Sequence, residues 1–286
     1  MEKFGIWTDK IMIEITPFTR IVWKTNAAKN KWNDKINAIS AMYARCELET
    51  VKNGVRRATT WHIDMNNLVN TFDMINNHEL VFTPIAQSGY YEGFSHCHRP
   101  VIPGKPSYWY GSLTKTVEDG ELFKTASNAR SQDEVHTPIG ELLGYPKCCT
   151  EKFISEWKTG NYDAMYQIAE QTEGAEITET ETKKVCTIHD IGTCSVNSPL
   201  LRYFGIRAIP HFPCGLKCKE SHKLAQKWLK IMDDIDSDAT NDLKALLQCI
   251  ESWDSLNGIV EVDTPYFRGI THTYPYLGQH RIINIK

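Results

Sequence analysis

"HTPIGELLGYPKCCTEKFISEW", His136 to Trp157, breaks its periodicity in the middle and so fixes where two helices stop and start. Ile139, Leu142 and Leu143 share one helical face, and Gly144 to Pro146 interrupts it. Pro146 can open the next helix, because a residue in the first turn has no intrahelical N–H bond to lose. Cys148 and Cys149 then stand at that helix N-terminus. The unpaired N–H groups and the dipole there favour anions, which biases a thiol towards thiolate, the form that binds metal or attacks electrophiles. A plainer role is also open to Cys149. It falls with Phe153 and Trp157 at i, i+4 and i+8, the spacing of a buried stripe, and free cysteine is among the most buried residue types.

A second segment repeats the arrangement. "RAIPHFPCGLKCKESHKLAQKWLKIM", Arg207 to Met232, again puts proline directly before cysteine. The spacing predicts a strand over Leu201–Ile209 running into Pro210, His211 and Pro213, then a helix that begins at Cys214. Cys214 and Cys218, four apart on such a helix, project from the same face and can reach one ion or cluster. Two proline-initiated helices, each with two cysteines in or beside its first turn, point to a thiolate centre built from Cys148, Cys149, Cys214 and Cys218. His211 and His136 are the candidate proton carriers beside it, and His211 could also ligate. Arg202 and Arg207 are the candidate clamps for a carboxylate or phosphate on a substrate.

The spacing leaves the cofactor open between zinc and an iron-sulfur cluster. C-x-x-x-C is less typical of zinc than C-x-x-C, and Cys186 and Cys194, eight apart, add no knuckle. Three or four thiolates can instead hold iron and sulfide. The C-x-x-x-C-x-x-C radical pattern is excluded, because Ser221 stands where its third cysteine would be.

"HTPIGELLGYPKCCTEKF" together with "PHFPCGLKCKES" resembles the pair of signatures of the family known as domain of unknown function 483. The resemblance covers about half the chain, from His136 towards the C-terminal region, and brings no activity with it. It implies that His136, Gly144, Pro146, Cys148, Cys149, His211, Cys214, Cys218 and Ser221 belong to one constellation.

Outward from these segments the chain reads as α+β, a mixed sheet with packed helices around the thiolate centre. "IMIEITPFTRIVWKT" alternates like one or two strands broken at Pro17. Trp32, Ile36, Ile39, Tyr43 and Cys46 form one helical face that Gly54 ends, which places Cys46 in the core. Leu68, Phe72 and Ile75 predict another helix, and "ELVFTPIA" a short strand. Gly89 to Arg130, rich in Gly, Pro and aromatics, predicts an ordered loop, in which His96, Cys97 and His98 offer a weak H-x-H metal pattern. The acidic "TEGAEITETETKK" reads as a solvated connection. A helix is expected around "ATNDLKALLQCIESW", and alternation from Asn257 onward predicts strands separated by turns. The expected division is 1–135 and 136–286, with one continuous domain as the alternative.

The 286 residues are 41% apolar and 23% charged, the make-up of an ordinary globular protein. A net charge of -3 announces neither a nucleic acid nor an anionic membrane as partner. No apolar stretch approaches the ~18 residues of a membrane span, so the expectation is a soluble, cytoplasmic protein. Its nine cysteines are then core residues, ligands or reactive thiols rather than disulfide partners. Nucleotide-fold, P-loop, zincin and serine-hydrolase patterns are missing. The sequence therefore points first to a metal- or iron-sulfur-dependent enzyme acting on a small polar substrate. A structural zinc-stapled binding protein and a metal-free cysteine-nucleophile enzyme are the alternatives.

Overall fold

The C-terminal alternation builds the larger of two sheets. In the computed structural model, which describes residues 19–89, 101–105, 107–159, 164–272 and 279–286, strands β7 (Ser252–Leu256), β8 (Ile259–Asp263) and β9 (Phe267–His272) form an antiparallel meander. β1 (Thr19–Trp23) pairs antiparallel with β9 at one edge. On the other side β10 (His280–Ile285) lies between β7, antiparallel, and β6 (Lys183–Ile188), parallel, and β5 (Glu176–Glu179) closes the far edge. The seven-stranded order is β1-β9-β8-β7-β10-β6-β5. Side chains alternate along each strand, so Trp253, Val260, Val262, Phe267 and Ile283 fall on one buried face. Each such side chain contributes about 1.5–3 kcal/mol on burial.

Helices α1 (Asn26–Lys52), α7 (Lys219–Ile235) and α8 (Ser237–Gln248) pack on one another and share that core. The face read from the sequence is the face that is buried: Trp32, Ile36, Ile39, Tyr43 and Cys46 are each 6% exposed or less. Thr25 caps α1 by accepting the Ala28 N–H at 3.0 Å, and Gly54, at φ +70°, turns the chain away after it. The last turns of α1 leave the first core for a second one. Leu48 and Val51 pack with Ile63, Ile75 and Leu113 of the smaller unit.

That unit is an antiparallel sheet of order β2-β4-β3, built from β2 (Ala58–Asp64), β3 (Val81–Gly89) and β4 (Ser107–Thr114). Helix α2 (Leu68–Asn77) contributes Ile75 to it, and α3 (Val117–Ser127) packs against β3 and β4. α3 in turn meets α4 (Gln132–Leu142), which meets α5 (Lys147–Lys158), and α6 (Ala164–Glu170) lies against β6 and β10. The arrangement is α+β, as expected. A division at 135/136 falls within α4, and β1 and α1 share sheet and core with residues far beyond it.

Several local expectations are corrected. The Gly89–Arg130 stretch is not a loop throughout, since β4 and α3 lie in it; Thr116 caps α3 through the Asp119 N–H. The acidic stretch from Thr172 is not a bare connection, because Glu176–Glu179 forms an edge strand. Leu201–Ile209 is not a strand. Arg202–Phe204 makes a 3-10 turn and Gly205 turns left-handed at φ +78°, where an added Cβ would lie 2.3 Å from Ser40 Oγ. The helix predicted from Cys214 starts at Lys219 instead. Residues 11–18 of the first strand-like segment and the His96, Cys97, His98 pattern lie outside the described residues. Among the described residues no helix is long and apolar enough to cross a membrane.

Candidate metal centre

The corner between α4 and α5 sets the first two thiols. Gly144 follows α4 at φ +70°, and Pro146 is the residue before α5, so Cys148 and Cys149 occupy the second and third positions of that helix. The other two thiols come from the turn before α7. Cys218 is the N-cap of α7, and its sulfur accepts the Ser221 N–H at 3.5 Å. Cys214 lies one turn earlier, outside the helix, and its N–H donates to Cys149 Sγ at 3.4 Å. Cys214 and Cys218 thus converge through a turn and a cap rather than along one helix face.

Buried polar groups hold this turn rigid. Asn197 Nδ2 donates to the carbonyls of Leu216 and Cys218 at 2.9 and 3.1 Å, and the Leu216 N–H donates to Thr172 Oγ1 at 2.9 Å. Gly215 brings the backbone close to the end of the segment after α6, where a Cβ would stand 3.1 Å from Gln171 O. The two helix N-termini, reached from segments about 70 residues apart, therefore point at one place.

The four sulfurs lie within 4.8 Å of one another. Cys149 Sγ is 3.8 Å from Cys148 Sγ and 3.7 Å from Cys218 Sγ, and Cys148 Sγ is 3.8 Å from Cys218 Sγ. Cys149 is buried, Cys148 is exposed, and Cys214 and Cys218 are half-buried, so the group sits just under the surface. Crowding splits the thiol acidities. The Cys149 thiol, with Ser221, pulls Cys218 down, while that same bond and burial push Cys149 up, and burial raises Cys214 to about 12. Four sulfurs this close together, in front of two helix N-termini, are a donor set that suits a cation.

A hydrogen-bond chain leads away from the sulfurs. Ser221 Oγ is 3.2 Å from Cys149 Sγ and 2.8 Å from His211 Nε2. When Cys149 is a thiolate, Ser221 O–H donates to it and accepts from His211 Nε2–H, which leaves Nδ1 as the unprotonated nitrogen. Burial, with Arg202 nearby, lowers His211 to about 3 and keeps the ring neutral. The Tyr145 ring lies tilted against it, with centroids 5.2 Å apart.

Beside the thiols is a cavity of about 240 Å³ between α4, α5 and residues 202–212. His136, His211, Arg202 and Cys149 all line it. His136 Nε2 bonds Gln132 Oε1 at 2.8 Å, its ring stands edge-on to Phe153, and burial lowers its pKa. Arg202 lies over the Phe212 ring at 4.1 Å; burial and Arg207 lower it to about 10, so it stays cationic at neutral pH. Arg207, expected beside it as a second clamp, turns away. Its guanidinium covers Tyr43 at 4.2 Å, and it is not among the described residues lining the cavity. Arg268 pairs with Glu261 at 3.4 Å on the large sheet.

Tyr145, Thr150 and Phe212 line the cavity and were not singled out from the sequence. Nothing in their spacing sets them apart. The true start of α4 did have a signal, since Ser131 and Glu134 form a capping box. Gly140 is what lets α4 approach α5: a Cβ there would lie 2.6 Å from Thr150 Oγ1. Gly140→Ala should cost about 1–3 kcal/mol by forcing the helices apart. An unchanged urea midpoint would show slack in that contact.

The chain matched no protein-family model, no curated protein and no solved structure.

Proposed function

We propose that Cys148, Cys149, Cys214 and Cys218 bind one zinc ion as a structural staple, and that the protein works by binding a small molecule in the cavity the staple walls. The observation that carries this is the sulfur spacing. Four thiolates at about 2.3 Å from one ion form a tetrahedron with edges of about 3.8 Å; the separations among Cys148, Cys149 and Cys218 are 3.7, 3.8 and 3.8 Å, and the Cys214 sulfur lies within 4.8 Å of each. An iron-sulfur cluster places its thiolates on different irons with sulfide between them. Four sulfurs within 4.8 Å leave little room for that. Four ligands also complete the coordination of zinc, which favours a closed structural ion over a catalytic one with an open position.

The ion would tie the N-terminus of α5 to that of α7, and both dipoles would stabilise the excess negative charge of four thiolates. A second reading, a metal-dependent enzyme, draws support from the position of Cys149 in the cavity wall with His136 and His211 beside it. A nucleophilic cysteine fits less well. The buried thiol on the hydrogen-bond chain to His211 is the one pushed up, and the lowered one, Cys218, has thiols and Ser221 as its partners.

The test is metal content after purification without oxygen. One zinc per chain with no visible absorption supports the staple; stoichiometric iron and sulfide with a broad visible band would replace it by a cluster. Protein with no metal that takes up no added zinc would remove both.

A further inference from the structure

We propose that the four-thiol centre is a peroxide-responsive switch, in which Cys148 is oxidised, Cys218 closes a disulfide with it, and the zinc is released. This rests on the staple reading, since the ion to be released is the proposed zinc. The four sulfurs are unequal. Cys148 is exposed, Cys149 is buried, and Cys214 and Cys218 are half-buried. The N–H and O–H groups around the centre also pass Cys148 by, among the described residues. Cys149 Sγ has Ser221 Oγ at 3.2 Å and the Cys214 N–H at 3.4 Å, and Cys218 Sγ accepts the Ser221 N–H at 3.5 Å. Such bonds draw charge from a metal-bound sulfur and dull it towards electrophiles. A small oxidant arriving from solvent therefore meets Cys148 first.

Geometry selects the partner. Cys149 is adjacent in sequence, and consecutive Cα atoms stand about 3.8 Å apart, closer than the roughly 4.4–6.8 Å that disulfides span. Closing that pair would also break the first turn of α5. Cys218 comes from a separate segment, and its sulfur is 3.8 Å from that of Cys148. Hydrogen peroxide as the oxidant balances the chemistry. The Cys148 sulfur attacks one peroxide oxygen, the O–O bond breaks, and hydroxide leaves to become water. The Cys218 sulfur then attacks the sulfenic sulfur of Cys148, the S–S bond forms, and the S–O bond breaks to give a second water. The two sulfurs lose two electrons and the peroxide gains them. Four protons are consumed, two in the waters and two by Cys149 and Cys214, which are left as thiols when zinc departs. The disulfide joins the N-termini of α5 and α7, the same two that the ion holds, across a separation of 70 residues. The junction therefore survives the loss of the ion. Cys149 lines the cavity, so release of the ion changes the wall that a ligand meets.

The experiment treats zinc-replete protein with a small excess of hydrogen peroxide at neutral pH, reads zinc release with a colorimetric chelator, and maps disulfides by mass spectrometry of unreduced peptides. Zinc should leave in step with formation of Cys148–Cys218, and dithiothreitol with added zinc should restore the starting state. The oxidised, zinc-free protein should unfold about 5 °C or more above reduced protein stripped by a chelator. Cys148→His keeps a zinc ligand but no sulfur, and should release zinc about tenfold more slowly than wild type, whereas Cys214→His should stay within about twofold of the wild-type rate. A first disulfide that leaves Cys148 free, oxidation that dithiothreitol does not reverse, an oxidised form no more stable than the stripped one, or equal release from wild type and Cys148→His would overturn the proposal. If neither histidine variant loads zinc, the wild-type peptide map decides it. Zinc content before oxidation separates the two readings. Full zinc that peroxide does not displace sinks the switch and leaves the staple. Protein that holds no zinc and takes up none sinks the staple, and the switch with it.

Discussion

Cys218→Ser is expected to lower bound zinc to well below one per chain and to reduce the unfolding temperature by about 10 °C or more, an effect that a chelator should reproduce on the wild type. The substitution is informative because of where Cys218 stands. It is the N-cap of α7, and serine is among the best N-cap residues, so the Ser221 N–H keeps an acceptor. What serine removes is the soft thiolate ligand. A fall in stability therefore reads the ion and not the helix end. Cys214→Ser should behave alike. Cys46→Ser and Cys249→Ser should keep full zinc, although Cys46, fully buried against Trp228 O, will lose stability for packing reasons. Equal zinc in all four variants would remove the proposed centre.

Stability should also fall steeply on mild acidification, and His211 should account for a measurable share. Its ordinary pKa is 6.5, and burial holds it near about 3 in the folded protein. Above about pH 6.5 neither folded nor unfolded chains hold this proton, so the contribution is complete. Below that, the unfolded chain takes up the proton and the folded one does not, so stability is lost progressively as pH falls towards about 3. By pH 5 the loss from this one group is about 2 kcal/mol. His136, also lowered by burial, acts in the same direction. Acid releases zinc from thiolates too, so the measurement is a difference: urea unfolding of wild type and His211→Gln at about pH 7 and pH 5. The glutamine variant should lose about 1–2 kcal/mol less over that interval. Identical losses would mean that the folded protein protonates His211 readily.

The thiol centre was legible in the sequence because its causes are local. Pro146 and Pro213 mark where helices or turns begin, and the cysteines follow directly. The route taken by Cys214 was not legible, because a cap and a helical turn share the same four-residue spacing. Leu201–Ile209 misled for another reason. Leu201, Phe204, Ile206, Ala208 and Ile209 are buried in a segment without ladder bonds, and a short apolar run looks the same as a core strand. Gly205 was the available warning. Glu176–Glu179 misled in the opposite sense: all four residues of this edge strand are exposed, so no hydrophobic alternation announces it. The cavity lay beyond reach, since its walls come from α4, α5 and residues 202–212, and only folding brings them together.

The place of β10 bears on how the molecule is made. His280–Ile285 fills the gap between β7 and β6, so the middle of the large sheet is supplied by residues that leave the ribosome after both of its neighbours. Until then β6 and β7 expose unpaired edges, which are sites for aggregation and chaperone capture. The thiol-bearing helices, complete by Ile235, emerge earlier. Zinc captured at that stage would hold the nascent chain in register while it waits for the strand that closes the sheet.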